Sequence, residues 1–331
     1  MRRRELLALV AVVSILPPVV ARAEQSTKVY RIAILHPSHP VAELTATSSL
    51  YYHRAFFEEL RRLGYVEGQN LTIERFSGEG HIDNYPALAR SVASRNPDAV
   101  FTVDPMTRYL KETSTVPIVS FTGDPIAAGF AQSLARPGGN ITGIDVASGT
   151  EEIWAKRLQL LREIVPTISK VGFLWGPFRR PLRSQTLQTF EKMGVEVIVP
   201  TFVDGSDSEY RRVVASLSQA GVEALLVSDD VQNVGRRQLI AELASKFRLP
   251  AIYAHRVFAE AGGLIAYGYD VPELLRQCAR QIDKILKGAN PGEIPFYQPT
   301  KFELLINLKT AKELGLTVPP SMLSLADELI E

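Results

Sequence analysis

The stretch VYRIAILHPSHP at residues 29–40 decides the fold class, because a mostly apolar, β-rich run ends there in a polar, proline-bounded loop. Such a run is typical of a strand in a parallel sheet, whose two faces are both covered by helices. The loop at residues 36–40 leads into a helical pattern near residues 47–63. A strand, a loop and a helix in this order predict an α/β fold.

The same succession continues in two series along the chain. The first series has β-rich runs at Val29–Leu35, Leu71–Phe76, Ala99–Val103, Ile118–Phe121 and Ile141–Ile144, with helical patterns near 47–63, 83–95, 105–112 and 125–135. The second has runs at Val171–Trp175, Val195–Val199, Ala224–Val227, Ala251–Tyr253 and Leu264–Ala266, with helical patterns near 150–164, 181–193, 207–219 and 231–247. We therefore predict two doubly wound parallel-sheet lobes, which bind ligands beyond the carboxyl ends of their strands.

The first 23 residues have the features of an export signal. Three arginines precede a short apolar stretch from Leu6 to Leu16, and Ala21-Arg22-Ala23 matches a cleavage site. The apolar stretch is too short to span a membrane, and Pro17-Pro18 ends it. The arginines fit the general secretory route and, loosely, the twin-arginine route. We expect cleavage near Ala23.

Composition narrows the compartment and the class of partner. The chain has 331 residues, 46% of them hydrophobic, which suffices for two ordinary cores. Its one cysteine, Cys278, lies in an apolar helical pattern, so we expect a core residue, no disulfide and no lipid anchor. A lipid-free exported binder is retained most simply in the periplasm. The signal carries four arginines and one glutamate, so the mature chain has a formal charge near −2, and no basic face indicates a nucleic-acid partner.

Several motifs resemble one known family. They are LGYVEGQN at residues 63–70, LARPGGNITG at 134–143, LPAIY at 249–253, EAGGL at 260–264 and QPTKFEL at 298–304. Through them the chain resembles ABC-transporter substrate-binding proteins of the type I periplasmic-binding fold, in the uncharacterised group that includes tryptophan-binding-type proteins. The resemblance covers nearly the whole mature chain.

The resemblance implies a monomeric receptor that traps a small solute, such as an amino acid or a related polar metabolite, and delivers it to ABC permease subunits in the inner membrane. It also implies that the chain crosses between lobes three times. The first lobe is then formed by residues 28–146 plus 269–299, and the second by residues 147–268 plus 300–331. Three hinge connections would guide closure of the lobes on the solute.

Candidate ligand contacts in the first lobe follow its strands. Ser38 and His39 lie in the loop after the first strand. Asp104 and Thr107 follow the third strand, and Asp104 either pairs with a ligand ammonium group or caps the next helix. Family members usually have a small hydroxyl residue or glycine in that loop, so Asp104 is a departure. Asp124 matches a family motif after the fourth strand, and either caps a helix or contacts the ligand.

Candidates in the second lobe combine aromatic rings and charges. Trp175 either stacks on a planar ligand or belongs to the core, and Arg179 suits a carboxylate. The family has an asparagine-proline pair near here that this chain lacks. Asp229 matches the position at which related proteins hold an amino group, and Asp230 is the alternative helix cap. Three tyrosines fall at strand ends and either wall the cleft or are buried structural residues: Tyr253, Tyr267 and Tyr269.

Other functional classes have weaker support in the sequence. A hydrolase would need a nucleophile motif such as G-x-S-x-G, which is absent, and no phosphate-binding loop indicates a nucleotide cofactor. The five histidines show no metal-ligand spacing such as H-E-x-x-H, so we expect no metal centre. A sensory receptor that presents its closed form to a membrane signalling protein would have the same sequence features.

Overall fold

The computed structural model describes residues 28–146, 150–176 and 184–331. The predicted signal peptide, residues 1–23, falls outside these ranges. Among the described residues, no helix has the length and apolar character needed to cross a bilayer. Two separate β-sheets organise the described chain.

The first sheet has five strands, all parallel, in the order β2-β1-β3-β4-β5. These strands are β1 (Tyr30–His36), β2 (Leu71–Ser77), β3 (Ala99–Val103), β4 (Ile118–Thr122) and β5 (Ile141–Asp145). Strands β1 and β3–β5 are buried along most of their length because helices cover both faces, as their apolar sequences predict.

The second sheet has seven strands in the order β12-β11-β10-β9-β8-β6-β7. They are β6 (Lys170–Leu174), β7 (Glu196–Ile198), β8 (Ala224–Val227), β9 (Ala251–Tyr253), β10 (Ile265–Tyr269), β11 (Phe302–Asn307) and β12 (Glu328–Ile330). All neighbouring pairs are parallel except β10 and β11, which are antiparallel. A strand therefore returns to this sheet from the opposite direction near the C-terminus.

Twelve α-helices are found in the described residues. They are α1 (Tyr51–Arg62), α2 (Tyr85–Ser94), α3 (Met106–Thr113), α4 (Thr150–Ile164), α5 (Ser184–Lys192), α6 (Asp207–Gln219), α7 (Val231–Gly235), α8 (Arg237–Lys246), α9 (Val257–Glu260), α10 (Val271–Leu286), α11 (Leu308–Leu314) and α12 (Pro320–Leu325). Helices α1–α3 and α10 pack with the first sheet, and we call this unit the first lobe. The remaining helices and the second sheet form the second lobe.

Helix α10 shows how local sequence fixes a long-range connection. Asp270 caps its N-terminus by accepting a hydrogen bond from the Glu273 backbone N–H at 3.1 Å, and Pro272 occupies the first turn. Its apolar face packs against α1, β3, β4 and β5, although β10 and β11 on either side of it belong to the second sheet. The chain thus passes between the sheets after β5, after β10 and before β11. Cys278 on this face is fully buried, as predicted, and burial raises the pKa of its thiol.

Two helical predictions were wrong in detail. The pattern at 125–135 forms only turns, because the Pro125 carbonyl accepts from the Phe130 N–H and Gly129 adopts a positive φ of 72°. The pattern at 231–247 is divided at Arg236 into α7 and α8.

Candidate functional site

A cavity of about 110 Å³ lies between the two lobes. The first lobe contributes a wall of aromatic, aliphatic and imidazole side chains: Ile34, His36, His39, Leu44, Tyr52, His53, Phe56, Phe57, Phe101, Val103 and Phe121. The second lobe contributes Asp229, Val231, Val234, Ala254 and His255, and the connection into α10 contributes Tyr269, Val271 and Leu275. The cavity therefore depends on both lobes.

Ring contacts join the lobes beside this cavity. Tyr52 of α1 meets His255, which follows β9, edge to face with ring centroids 5.5 Å apart. The guanidinium of Arg256 lies 5.6 Å from the ring centroid of Tyr51, an arrangement suited to a cation–π contact. The lobes are thus in contact around the cavity in this structure.

The first-lobe wall is built from rings that pack against one another. Phe56 of α1 stacks on Phe101 of β3 with centroids 4.9 Å apart and an interplanar angle of 22°. Phe57 meets Phe56 edge to face at 5.4 Å. Stacked and edge-to-face faces of this kind suit a planar, apolar group.

Four of the five histidines converge on the cavity, although they are up to 219 residues apart in sequence. The rings of His36 and His39 stack with centroids 4.1 Å apart, and His39 Nδ1 lies 3.1 Å from His53 Nε2. His255 approaches from the second lobe. The fifth histidine, His81, is exposed elsewhere on the first lobe.

These imidazoles are held neutral. Burial lowers the pKa of His39 to about 3, and the nearby charge of Arg237 acts in the same direction. Burial likewise lowers the pKa of His255 to about 4. The pKa values of His36 and His53 are also lowered, mainly by burial. The cluster is therefore a set of hydrogen-bonding groups rather than a cationic patch.

A metal ion is one candidate occupant of this histidine cluster. One nitrogen from each of His36, His39 and His53 lies within 4.8 Å of the other two, and neutral imidazoles are good ligands. However, a metal must lie near the plane of each ring that binds it, and the His36 and His39 planes are nearly parallel, at 11°. As arranged, these two rings do not converge on one ion.

Charged and polar groups lie at the cavity or next to its wall. Asp229, at the end of β8, supplies a carboxylate. The Tyr52 hydroxyl is buried without a hydrogen-bond partner among the described residues. Arg237 lies next to the cavity residue Val234, whose carbonyl accepts a hydrogen bond from Arg237 Nη1 at 3.4 Å, and no ion pair involves Arg237 in the described part of the chain. A carboxylate and a phenol thus line the cavity, and a guanidinium lies beside its wall.

The structure brings three of the sequence-predicted residues together. His39, Asp229 and Tyr269 all line the cavity. The Tyr269 hydroxyl also donates a hydrogen bond to the Val146 carbonyl, so Tyr269 lines the cavity with its ring and not with its hydroxyl. Ser38 is adjacent to His39, and its buried hydroxyl has no partner among the described residues.

Four other predicted residues have structural contacts away from the cavity wall. Tyr253 is fully buried in the second lobe and stacks on Phe258 at 4.8 Å. Thr107 is fully buried and exchanges a hydrogen bond with the Ser120 hydroxyl at 2.7 Å. Tyr267 stacks on Phe302 at 5.6 Å. Thr107 and Tyr253 are thus buried and Tyr267 is partly buried, which for the two tyrosines is the structural alternative; ligand contact by these three residues stays a prediction. Trp175 is partly buried against the aromatic core of its lobe.

The two remaining aspartates of the first lobe stabilise turns. Asp124 Oδ1 accepts a hydrogen bond from the Ala127 N–H at 2.9 Å. This contact resembles a helix cap, which was one of the two roles predicted for Asp124. Asp104 Oδ2 accepts from the Thr122 hydroxyl at 3.2 Å, and neither aspartate lines the cavity. Asp230, not Asp229, caps α7 through the Gln232 N–H. Arg179 lies outside the described residues.

Sequence reasoning missed most of the cavity wall. Tyr52 and His53 lie in α1, where their pattern resembles an ordinary helix face. Phe101 and Phe121 lie inside strands that read as continuous core. His36 at the end of β1 and His255 just after β9 had the strand-end signal used for the other candidates, but neither was chosen.

The chain is similar to known proteins in both sequence and structure. Residues 41–330 match the family model described as ABC transporter substrate binding protein. A tyrosine-binding protein of Clostridioides difficile (strain R20291) is 23% identical over 270 residues, which cover 80% of this chain and 76% of that protein.

Two solved structures share the fold. A conserved domain protein from Vibrio cholerae has a TM-score of 0.82 at 22% identity and covers 91% of this chain and 100% of its own. An ABC domain in complex with L-Trp from Streptococcus pneumonia has a TM-score of 0.79 at 23% identity and covers 91% of this chain and 99% of its own.

Proposed function

The chain belongs to the ABC transporter substrate-binding protein family, and from this premise we propose that it captures an aromatic amino acid in the cavity between its lobes. The closed, loaded form then docks on the permease of an ABC importer. The protein acts as an exported periplasmic monomer and performs no catalysis on its solute.

The composition of the cavity is the observation that carries this proposal. Rings from Phe56, Phe57, Phe101 and Phe121 form an apolar wall against which an aromatic side chain can pack. Asp229 supplies a negative charge at the second-lobe side, where a ligand ammonium group would form a charge-assisted hydrogen bond.

A ligand carboxylate also has candidate partners. Burial raises the pKa of the Tyr52 hydroxyl, and the nearby charge of Arg237 acts in the opposite direction, so these two groups are close enough to interact. Arginine binds carboxylates through two parallel hydrogen bonds, and a buried phenol without a partner gains one. Asp229 on one hand and Arg237 with Tyr52 on the other thus supply partners for the two charges of a zwitterion.

The comparisons support the same solute class. One relative is named for tyrosine binding and one solved structure contains L-Trp. We infer that this chain shares the preference for a ring, because its own cavity wall is aromatic.

Thermal-shift screening of the mature chain tests the proposal. Amino acids, small carboxylates and nucleobases are each added, and we expect aromatic amino acids to raise the melting temperature, since a ligand at 100 times its Kd stabilises the native state by about 2.7 kcal/mol. Asp229→Asn should abolish the shift. Glu196→Gln, whose side chain is 63% exposed on the edge strand β7, is the matched control and should keep it. No shift with any compound, or turnover of esters or peptides, would end the proposal.

A further inference from the structure

Arg256 follows β9 in the second lobe, and three carboxylates bind the three nitrogens of its guanidinium group. Its Nε donates to Glu260 of α9 at 2.9 Å, and its Nη1 donates to Glu303 of β11 at 3.1 Å. Its Nη2 donates to Glu328 of β12 at 2.6 Å. A guanidinium group donates in its own plane, so these hydrogen bonds fix that plane and leave its two flat faces for other contacts.

A ring of the first lobe meets this guanidinium group. The guanidinium carbon of Arg256 lies over the ring of Tyr51 in α1, 5.6 Å from its centroid. The side chain of Arg256 is only 20% exposed, and a cation–π contact is stronger where water is partly excluded. The Tyr51 hydroxyl is buried and has no hydrogen-bond partner among the described residues, so Tyr51 contacts Arg256 through its ring.

The neighbouring residues make a second contact between the same two segments. Tyr52 meets His255 edge to face at 5.5 Å, and it also meets Tyr51 edge to face at 5.6 Å. Tyr52 and His255 line the cavity, whereas Tyr51 and Arg256 are not part of its wall. The contact of Tyr51 with Arg256 therefore joins the lobes beside the cavity, where neither side chain is placed to touch a solute.

The three carboxylate partners of Arg256 belong to the second lobe, as Arg256 itself does. Rotation of the lobes away from each other would thus leave the three ion pairs in place and break the contact with Tyr51. Because this contact is made only when the lobes are closed, it stabilises the closed arrangement relative to an open one. A solute that binds the closed arrangement then gains apparent affinity from it.

We propose that Arg256 and Tyr51 form a clasp that holds the lobes closed over the solute, and that they are positioning residues which set the affinity of the receptor but not its selectivity. This inference rests on the proposed function, because it concerns retention of the solute in the same cavity. Arg256 is held by its own lobe and presents a fixed cationic face, on which the ring of Tyr51 packs. Loss of the clasp weakens the binding of every solute by the same factor.

Calorimetric titration of the mature chain with L-tyrosine, L-tryptophan and L-phenylalanine tests the clasp. Arg256→Gln removes the cation, whereas Tyr51→Leu removes the ring and leaves the ion pairs of the second lobe intact. We expect each variant to bind these amino acids about threefold to thirtyfold more weakly, which is the range for a partly buried cation–π contact. The ratios of the affinities for different amino acids should stay unchanged.

Further variants separate the cation–π contact from simple packing. Tyr51→Phe keeps the ring and deletes a hydroxyl that has no partner among the described residues, so it should keep the wild-type affinities. The double variant Tyr51→Leu/Arg256→Gln should bind no more weakly than the weaker single variant, because both substitutions remove the same contact. Independent contributions of the two residues would instead give losses that add. Arg211→Gln, at an exposed arginine of α6, is the control and should change no affinity.

The outcomes distinguish the clasp from the function on which it rests. Additive losses, changed affinity ratios, wild-type affinity in Tyr51→Leu, or a Tyr51→Phe variant as weak as Tyr51→Leu would overturn the clasp and leave solute capture intact. If no amino acid binds the wild-type chain, the proposed function fails, and small-angle X-ray scattering of the proteins without solute decides the clasp. A larger radius of gyration in Tyr51→Leu than in Tyr51→Phe would then support it, and equal radii would overturn it.

Discussion

Acidification from pH 7 to pH 5 should destabilise the ligand-free protein through its buried histidines. His39 and His255 are at most 9% exposed, and burial lowers their pKa values to about 3 and about 4. In the unfolded chain both return to about 6.5. Between pH 7 and pH 5 these histidines therefore bind protons in the unfolded state but not in the folded state. The free energy of unfolding thus decreases as the pH falls below about 6.5.

The size of the effect follows from these values. At pH 5 an unfolded histidine is almost fully protonated, while the folded ring is neutral, and the difference costs about 2 kcal/mol for each residue. His39 and His255 together give about 4 kcal/mol, and the lowered pKa values of His36 and His53 act in the same direction. A loss of this size is a large fraction of the stability of an ordinary domain. The two pKa values already include the opposing charges, since Glu43 raises the pKa of His39 and Asp229 that of His255.

Urea unfolding at pH 7 and pH 5, followed by circular dichroism, measures the loss. The double variant His39→Gln/His255→Gln should recover about 4 kcal/mol of it, whereas His81→Gln should recover none. Carboxylates are an alternative source of acid sensitivity, but they titrate mainly below about pH 4.5 and contribute little in this window. A wild-type loss below about 1 kcal/mol, or the same loss in the double variant, would refute the reasoning.

Three further predictions test packing and reactivity. Gly143→Ala should lower the free energy of unfolding in urea by more than about 3 kcal/mol, since a Cβ there would lie 1.9 Å from a backbone oxygen of β4. Gly221→Ala, also at positive φ but with no atom within 4 Å, is the control and should cost about 1 kcal/mol. Similar losses in the two variants would contradict the steric argument. Glu59→Gln should cost about 1–3 kcal/mol by the same assay, because the buried Glu59 carboxylate of α1 accepts a hydrogen bond from Arg280 Nε of α10 at 2.7 Å and so links the two helices. A change under about 0.5 kcal/mol would show that this ion pair is dispensable. Cys278 should react with a thiol reagent only after urea unfolding, so rapid native labelling would disprove its burial.

The fold was largely predictable because parallel strands covered on both faces must be apolar throughout. The runs at Ala99–Val103 and Ala224–Val227 coincide with β3 and β8 for this reason. Strand β12 (Glu328–Ile330) was missed, since an edge strand of three residues is too short to show a strand pattern. The false helix at 125–135 has a helical composition, but Gly129 turns the chain after one turn.

The site was predictable only where it follows the topological rule for strand ends. His39 and Asp229 were found because ligand loops follow strands in α/β sheets. Tyr52 and His53 could not be found in this way, since their place in the cavity depends on how α1 packs between the lobes. The place of the His53 ring depends on a contact with the backbone carbonyl of Glu43, which no side-chain pattern encodes.

A crystal structure of the protein grown with L-tyrosine tests the central claim most directly. The account predicts one amino acid in the cavity between the lobes, with its ammonium nitrogen about 2.7–3.0 Å from an Asp229 carboxylate oxygen and its ring against Phe101. Density for the amino acid on the outer surface alone, or lobes packed together with no solute between them, would contradict it.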